Sequence, residues 1–221
     1  MKRLFWLLTL PLLLLAACEE NVHNEDTKYA DWQPRNDTFI TQKRAEAKAA
    51  IAAAKAQWGE DWEEYCAWRL LRDYSVTDAT APELVDTVCV EIVERGTGSG
   101  CPLYSDEVQV NYLKRLMPTV EHPEGKVVEH SGMTIRPEDV FNTLSAATIT
   151  KVVSDDNTTA IHTTTGETTA FMQMHIGDRW KLYIPSRLAY GASSSTTIPA
   201  HSAIIVEVRL MGYTRKQSGT K

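Results

Sequence analysis

The sequence predicts an α+β fold, in which a mostly antiparallel β-sheet with one short helix follows an α-helical extension. Three observations lead to this prediction. Between residues 37 and 58, the side chains of one stripe recur every three or four positions, which is the period of a helix. From residue 85 the period changes to two in several short segments, which is typical of strands. One later segment, from Thr168 to His175, has helical character and ends before Gly177.

The predicted extension covers residues 37–84 and begins with a helix rich in Ala, Lys and Glu. Asp37 or Thr38 can cap its start, and Gly59 can close its end. The aromatic-rich stretch that follows fits a short helix, an extended segment, or one of each. We expect its aromatic side chains to dock onto the next domain rather than to bind a cofactor. The stripe of the helix consists of Ile40, Arg44, Ala47, Ile51, Ala54 and Trp58.

The predicted sheet domain covers residues 85–213, and residues 214–221 form a polar tail. Each strand is predicted from an alternation of apolar side chains, and glycines and prolines separate the strands. The alternating positions are Val88, Val90 and Ile92; Val108, Val110 and Tyr112; Ala147, Ile149, Lys151 and Val153; Trp180, Leu182 and Ile184; and Ile204, Val206, Val208 and Leu210. A loop with Pro118, Pro123 and Gly125 leads to Val127 and Val128.

Composition excludes several classes of function. The 221 residues include 23 Lys and Arg against 29 Asp and Glu, with a net charge of −6 and no basic cluster, so we expect no binding to nucleic acid. The sequence contains neither a G-x-S-x-G nor an H-E-x-x-H motif. His175 and His201 have no partner at the spacing of metal ligands. We therefore expect no metal and no cofactor.

The N-terminal segment predicts export. A short positive segment, Lys2-Arg3, precedes an apolar run from Leu4 to Ala17 that is too short to span a bilayer comfortably. The run ends in Leu15-Ala16-Ala17-Cys18, which resembles the lipobox of bacterial lipoproteins. The resemblance implies that residues 1–17 are a signal peptide, that Cys18 is lipidated, and that residues 18–36 form a lipidated tether.

A lipidated Cys18 implies that the protein is exported and anchored to the bacterial envelope. The residues Glu19-Glu20 resemble signals that direct lipoproteins to the outer membrane, where the domain would face the periplasm or the surface. The remaining cysteines, Cys66, Cys89 and Cys101, allow one disulfide at most. Cys89 lies within a predicted strand, and we expect it to be a small buried side chain.

The block from Met174 to Gly191 resembles the FKBP-type peptidyl-prolyl isomerases, whose usual run has the form M-x-V-G-x-x-W-x-L-x-I-P-x-x-L-A-Y-G. The resemblance spans residues 85–213 and is strongest to a subgroup of lipoproteins with a helical N-terminal extension. It implies an FKBP-like fold, in which the antiparallel sheet wraps around the short helix. Three further segments are similar to the family. Residues 198–204 resemble its I-P-P-x-S/T-x-L segment, residues 108–112 resemble its V-x-V-x-Y strand, and residues 123–129 resemble the loop that carries G-x-x-F-D.

The activity of that family, the isomerisation of X–Pro peptide bonds, needs no acid, base, metal or cofactor. Rotation about a peptide bond costs roughly 18–20 kcal/mol, and the carbonyl of the twisted transition state is less polar than that of the planar forms. An apolar aromatic pocket therefore binds the twisted amide better than the planar amide. In the family, a Tyr hydroxyl donates a hydrogen bond to the substrate in this pocket.

The resemblance assigns seven residues to the pocket. Three of them match the family: Tyr112 on a strand, Tyr190 as the hydroxyl donor, and Ile198 in the loop before the last strand. Glu167 stands where the family has the aromatic floor. We expect Glu167 to stay hydrated or to swing out, because an ionised carboxylate is not left in a dry apolar pocket. The other departures from the family are Val128 in place of Phe, Glu129 in place of Asp, and Val206 in place of the last-strand Phe.

Three hypotheses about function remain open. The first is a membrane-tethered prolyl isomerase that acts on X–Pro bonds of envelope or surface proteins, with weak activity because the pocket is degenerate. The second is a catalytically silent FKBP-fold lipoprotein that binds peptides or a partner. The third is a structural lipoprotein with a vestigial pocket. The expected partners are proline-containing polypeptides and, through the lipid anchor, a membrane, and the sequence leaves open whether the N-terminal helix forms a homodimer.

Overall fold

The computed structural model describes residues 28–76, 86–131, 149–152 and 163–215. The predicted α+β class is confirmed, with a long helix ahead of an antiparallel sheet and a short helix within the domain. The helices are α1 (Trp32–Trp58), α2 (Trp62–Tyr65) and α3 (Thr165–Phe171), with 3-10 helices at Gly59–Asp61 and Ser186–Leu188. The strands are β1 (Trp68–Arg72), β2 (Thr87–Glu94), β3 (Glu107–Leu116), β4 (Val127–His130), β5 (Ile149–Val152), β6 (Arg179–Ile184) and β7 (Ile204–Thr214).

The strands form one antiparallel sheet in the order β1-β2-β6-β7-β3-β4, and β5 also pairs with β3. Strands β3 and β7 are the longest, and their pairing runs from Glu107 opposite Thr214 to Leu116 opposite Ile204. Strands β2, β3, β5, β6 and β7 arise from segments with the predicted alternation, and β4 follows the predicted loop. Ala147 and Val153 of the predicted alternation lie outside the described residues. Strand β1 lies in the predicted extension, where it pairs with β2 and therefore belongs to the sheet.

One face of the sheet packs against the short helix α3. Strand side chains alternate between the two faces, so Leu182 and Ile184 share one face and Tyr183 points to the other. At Gly166 of α3, an added Cβ atom would lie 2.4 Å from Cγ2 of Ile184. The helix therefore approaches the sheet so closely that a larger residue at position 166 would require a shift. Leu182, Ile184 and Phe171 of this core are fully buried.

The opposite face of the sheet packs against the N-terminal half of α1. A core cluster there consists of Ile40, Cys89, Tyr183, Ala203 and Ile205, with Phe39, Trp68 and Leu70 packed against it. The predicted docking of the aromatic-rich stretch is confirmed for Trp68, whose ring stacks on that of Tyr183 with centroids 5.9 Å apart. Trp58 and Tyr65 instead stack on each other at 4.1 Å, and they remain 43% and 54% exposed.

Helix α1 begins at Trp32, five residues before the predicted start at Asp37. Pro34 made the preceding residues look like part of the tether, but proline is tolerated in the first turn of a helix, where its missing N–H would have no intrahelical partner. Tertiary contacts secure this first turn. Nε1 of Trp32 donates to Oγ of Ser202 at 2.8 Å, and Oδ1 of Asn36 accepts from the backbone N–H of Ala203 at 2.8 Å. The predicted end at Gly59 is confirmed, with φ of 57°.

The short helix α3 begins at Thr165 and ends at Phe171, earlier than the predicted span of residues 168–175. A capping box explains the earlier start, because Thr164 and Glu167 satisfy backbone groups of the first turn reciprocally. Gly177, which was predicted to close the helix, lies in the turn that follows, with φ of 95°.

Cys66, Cys89 and Cys101 are free thiols, and Cys89 is fully buried as predicted. Burial raises the pKa of the Cys89 thiol to about 11, so it stays protonated and unreactive at neutral pH. Within the described ranges, no helix is long and apolar enough to cross a membrane. The predicted signal peptide and Cys18 lie outside the described residues.

The first prediction concerns the contact between α1 and the loop before β7. Asn36→Ala should lower the free energy of unfolding by about 1–3 kcal/mol, because it leaves the buried N–H of Ala203 without its acceptor. Urea unfolding followed by circular dichroism measures the effect. Gln42→Ala, on the exposed side of the same helix, is the matched control and should change stability by less than about 0.5 kcal/mol. Equal effects of the two changes would show that the contact does not hold α1.

Candidate functional site

Four of the seven predicted pocket residues meet around the ammonium group of Lys114. Its Nζ atom lies 3.2 Å from Oε1 of Glu167 and 3.0 Å from Oε2 of Glu129, and it donates a hydrogen bond of 3.1 Å to Oη of Tyr190. The hydroxyl of Tyr112 donates to Oε1 of Glu129. We refer to Lys114, Tyr112, Glu129, Glu167 and Tyr190 as the Lys114 cluster.

The strand register explains why three of these side chains meet. Tyr112 and Lys114 are two residues apart on β3 and therefore point to the same face of the sheet. Glu129 on β4 lies directly opposite Lys114, where opposite charges on antiparallel strands attract. The register shifts just beyond this pair, so that Val128 is the extra residue of a β-bulge. Val128 is half-buried and lies outside the hydrogen-bonded network of the Lys114 cluster.

Glu167 reaches the cluster from the first turn of α3. The backbone N–H and the Oγ1 hydroxyl of Thr164 donate to its Oε2 atom at 2.8 and 3.0 Å, which leaves Oε1 for Lys114. Glu167 is only 1% exposed. The expectation that it stays hydrated or swings out is therefore wrong. It points inward and is buried, because a cation and two hydrogen bonds replace the water that the carboxylate loses.

Burial and charge act in opposite directions on Lys114, which is 2% exposed. Burial lowers the pKa of the ammonium group, but the charges of Glu167 and Glu129 and the Tyr190 hydroxyl outweigh it, so the pKa stands above its ordinary value. Burial also raises the pKa of Tyr112, and the hydrogen bond to Glu129 raises it further. At neutral pH Lys114 is therefore a cation and the Tyr112 hydroxyl is protonated.

The remaining predicted residues do not join the hydrogen-bonded network of the Lys114 cluster. Val206 of β7 pairs with Lys114 on the side away from Glu129 and is fully buried in the sheet. Ile198 lies in the loop before β7, in a turn where its backbone N–H donates to Oγ of Ser195 at 3.1 Å. Because Val206 lies directly opposite Lys114 on the neighbouring antiparallel strand, the two side chains are on the same face of the sheet.

Lys114 is the central residue that the sequence analysis missed. The signal was present, because Lys114 occupies an inward-facing position of β3, two residues after Tyr112 and two before the buried Leu116. A charged side chain at such a position requires a buried partner of opposite charge. The partner could not be identified, because Glu167 lies more than fifty residues further along the chain.

No group of three or more His, Cys, Asp or Glu side chains suited to a metal ion occurs in the part of the chain that the structure describes. The chemistry available in the Lys114 cluster is hydrogen bonding and charge. The sheet, the short helix on one face, and the Lys114 cluster between them define an α+β domain with a buried charged network between sheet and helix.

Comparison with known proteins identifies the family of this domain. Residues 105–211 match the family model of FKBP-type peptidyl-prolyl cis-trans isomerases. The chain is 27% identical over 149 residues to the macrophage infectivity potentiator of Trypanosoma cruzi, in a match that covers 65% of this chain and 61% of that protein. The family-model match covers just under half of the chain and shows that its sheet domain is similar to the FKBP-type peptidyl-prolyl cis-trans isomerases.

Similar solved structures include FkpA from Escherichia coli, with 22% identity, a TM-score of 0.45, and coverage of 86% of this chain and 71% of FkpA. Another is a peptidyl-prolyl cis-trans isomerase from Pseudomonas syringae, with 20% identity, a TM-score of 0.45, and coverage of 79% of this chain and 96% of that chain.

The second prediction tests the buried ion pair. Lys114→Met should lower the free energy of unfolding by about 3–5 kcal/mol, because Glu167 would then be a buried carboxylate without its cation. Adding Glu167→Gln to Lys114→Met should recover a large part of this loss, which urea unfolding of the single and double variants measures.

Glu46→Gln is the matched control, because it removes one partner of an exposed ion pair with Lys43 at 2.8 Å. This change should alter the free energy of unfolding by less than about 1 kcal/mol. Additive effects of Lys114→Met and Glu167→Gln would contradict a direct interaction between the two side chains.

Proposed function

We propose that this protein is a membrane-tethered FKBP-type peptidyl-prolyl isomerase of weak activity that acts on X–Pro bonds of envelope or surface proteins. The observation that carries the proposal is the position of Glu167, buried in the site and paired with Lys114. The match of residues 105–211 to the family model supports the reaction. The chain spans 61% of the length of the curated relative that it matches, so the substrates are part of the proposal.

The weak activity follows from the polarity of the site. The twisted amide of the transition state is favoured by surroundings less polar than water, whereas an ion pair favours the planar and more polar ground state. In the Lys114 cluster, one ammonium and two carboxylates stand where an aromatic floor would supply apolar contact. A loss of ~3 kcal/mol in transition-state stabilisation lowers the rate about a hundredfold.

The second candidate function is a catalytically silent module that binds proline-containing peptides or a partner protein. The hydrogen bonding of Lys114 favours it, because the ammonium directs its three N–H donors to Glu167, Glu129 and Tyr190. A network satisfied in this way resists rearrangement when a peptide binds. Such a module would bind X–Pro peptides without accelerating their isomerisation, and an isomerisation assay separates the two candidates.

The proposal includes the location of the protein, which is export followed by anchoring to a membrane. The apolar run from Leu4 to Ala17 and the lipobox that ends at Cys18 support export and lipidation. The residues Glu19-Glu20 support the outer membrane as the site of the anchor.

The third prediction concerns activity. Glu167→Trp should raise kcat/KM for an X–Pro peptide at least tenfold over wild type, because it replaces a buried carboxylate by an aromatic surface. Lys114 would keep Glu129 as its counter-ion at 3.0 Å. A protease-coupled isomerisation assay measures the change, and circular dichroism verifies the fold of each variant.

Glu167→Gln is the control for this experiment, since it removes the charge and adds no ring. Glu167→Phe is a second aromatic variant with a smaller ring, and it replaces Glu167→Trp if the indole is too large for the site. The proposal requires that the aromatic variants exceed Glu167→Gln. It is wrong if the wild type has the turnover of an efficient isomerase and both aromatic variants leave that turnover unchanged.

The fourth prediction concerns the anchor. Cys18→Ser should move the protein from the membrane fraction to the soluble fraction, because serine offers no thiol to the lipid donor. Metabolic labelling with a radioactive fatty acid should mark the wild type and not the variant. Cys101→Ser, a partly exposed thiol in the domain, is the control and should leave the fractionation unchanged. Retention of Cys18→Ser in the membrane would exclude a lipid anchor at this position.

A further inference from the structure

The hydroxyl of Tyr190 has a proton that no described side chain accepts. Its oxygen receives a hydrogen bond of 3.1 Å from Nζ of Lys114, and among the described residues this is its one hydrogen bond. A phenol hydroxyl can donate as well as accept, whereas an ammonium group has no acceptor. The proton of Tyr190 is therefore directed away from Lys114 and is left for a ligand.

The ammonium group of Lys114 is held in place from three sides. Its three donors are directed to Glu129, Glu167 and Tyr190 at 3.0, 3.2 and 3.1 Å. The two carboxylates come from different elements, strand β4 and helix α3, so the position of Nζ does not depend on one of them alone. Burial to 2% exposure removes the water that would compete for these contacts.

A hydrogen bond from a cation polarises the group that accepts it. When the Tyr190 oxygen accepts from an ammonium group, its own O–H becomes a stronger donor, because hydrogen bonds in a chain reinforce one another. Tyr190 lies in the loop after β6, where its carbonyl accepts from the backbone N–H of Ser193 at 3.1 Å. Lys114 thus holds the Tyr190 side chain in place and makes its hydroxyl a stronger hydrogen-bond donor.

We infer that Lys114 is a positioning residue, which directs and strengthens the Tyr190 hydroxyl as the hydrogen-bond donor to a peptide carbonyl. The inference rests on the proposed function, because it names the contact through which an X–Pro peptide is held. It also defines the ligand. The cluster has one ammonium and two carboxylates, a net charge of +1 − 2 = −1, so it repels an anion and accepts a neutral amide carbonyl.

The net negative charge of the cluster predicts a difference in affinity between two forms of the same X–Pro peptide. A peptide that ends in a free carboxylate at the proline would place a negative charge near Glu129 and Glu167 and should bind at least fivefold more weakly than its C-terminal amide. The same comparison in Glu129→Gln should show a smaller difference, because that change removes one of the two carboxylates.

The test is a double-mutant cycle of Lys114→Met and Tyr190→Phe in a Glu167→Gln background, which avoids an unpaired buried carboxylate. Two quantities are measured for each variant: the Kd of a blocked Leu-Pro tetrapeptide by calorimetry, and kcat/KM for its isomerisation. With Lys114 present, Tyr190→Phe should weaken binding and lower kcat/KM at least fivefold. In the Lys114→Met variant, Tyr190→Phe should reduce binding and kcat/KM by less than twofold, because Lys114 no longer directs the Tyr190 hydroxyl.

A merely structural Lys114 would lower the unfolding midpoint but leave the cost of Tyr190→Phe the same in both backgrounds. Lys114→Gln replaces Lys114→Met if the latter fails to fold, since it keeps a polar side chain without the charge. Circular dichroism and the midpoint of urea unfolding are recorded for every variant.

The outcomes separate this inference from the proposed function. If the protein isomerises the peptide and Tyr190→Phe lowers binding and kcat/KM equally with and without Lys114, the role of Lys114 is overturned. The proposed isomerase activity is then unaffected. Peptide binding with the expected difference, but without isomerisation, supports the role of Lys114 and overturns the proposed activity. Failure of every variant and of the wild type to bind the blocked peptide overturns both.

Discussion

A lysine ammonium and a glutamate carboxylate face each other at 3.2 Å between the sheet and the short helix, and both are almost inaccessible to water. Removing two charges from water costs several kcal/mol for each ion, so the pair persists only where hydrogen bonds satisfy the remaining donors and acceptors. Here Thr164, Glu129 and Tyr190 do so. The contact between Lys114 and Glu167 thereby couples helix α3 to strand β3.

The carboxylate of Glu167 both caps helix α3 and binds the ammonium group of Lys114. Its Oε2 atom completes the capping box with Thr164, which starts α3, while Oε1 binds the cation. Because Gly166 allows α3 to approach Ile184 closely, the carboxylate enters the space between helix and sheet. The polar site is therefore a consequence of how α3 begins and packs.

The N-terminal extension is part of the domain and supports the loop that precedes β7. Trp32 donates to Oγ of Ser202, which in turn donates to the carbonyl of Pro199 at 2.6 Å. The backbone N–H of His201 donates to the carbonyl of Gly191, the residue after Tyr190. Helix α1 is thus linked through hydrogen bonds to both loop segments near the site, which explains why its first turn is ordered against the sheet.

The sequence by itself determined the α+β class, the strands β2, β3, β5, β6 and β7, and the FKBP-type resemblance, because alternation and motif spacing are local properties. It also placed Tyr112, Glu129, Glu167 and Tyr190 in one site through their match to a family pattern. The start of α1 at Trp32, the strand at 68–72 and the charged centre at Lys114 were decided by tertiary structure alone. Each depends on a partner far along the chain, respectively Ser202, strand β2 and Glu167, and periodicity within one segment carries no information about such partners.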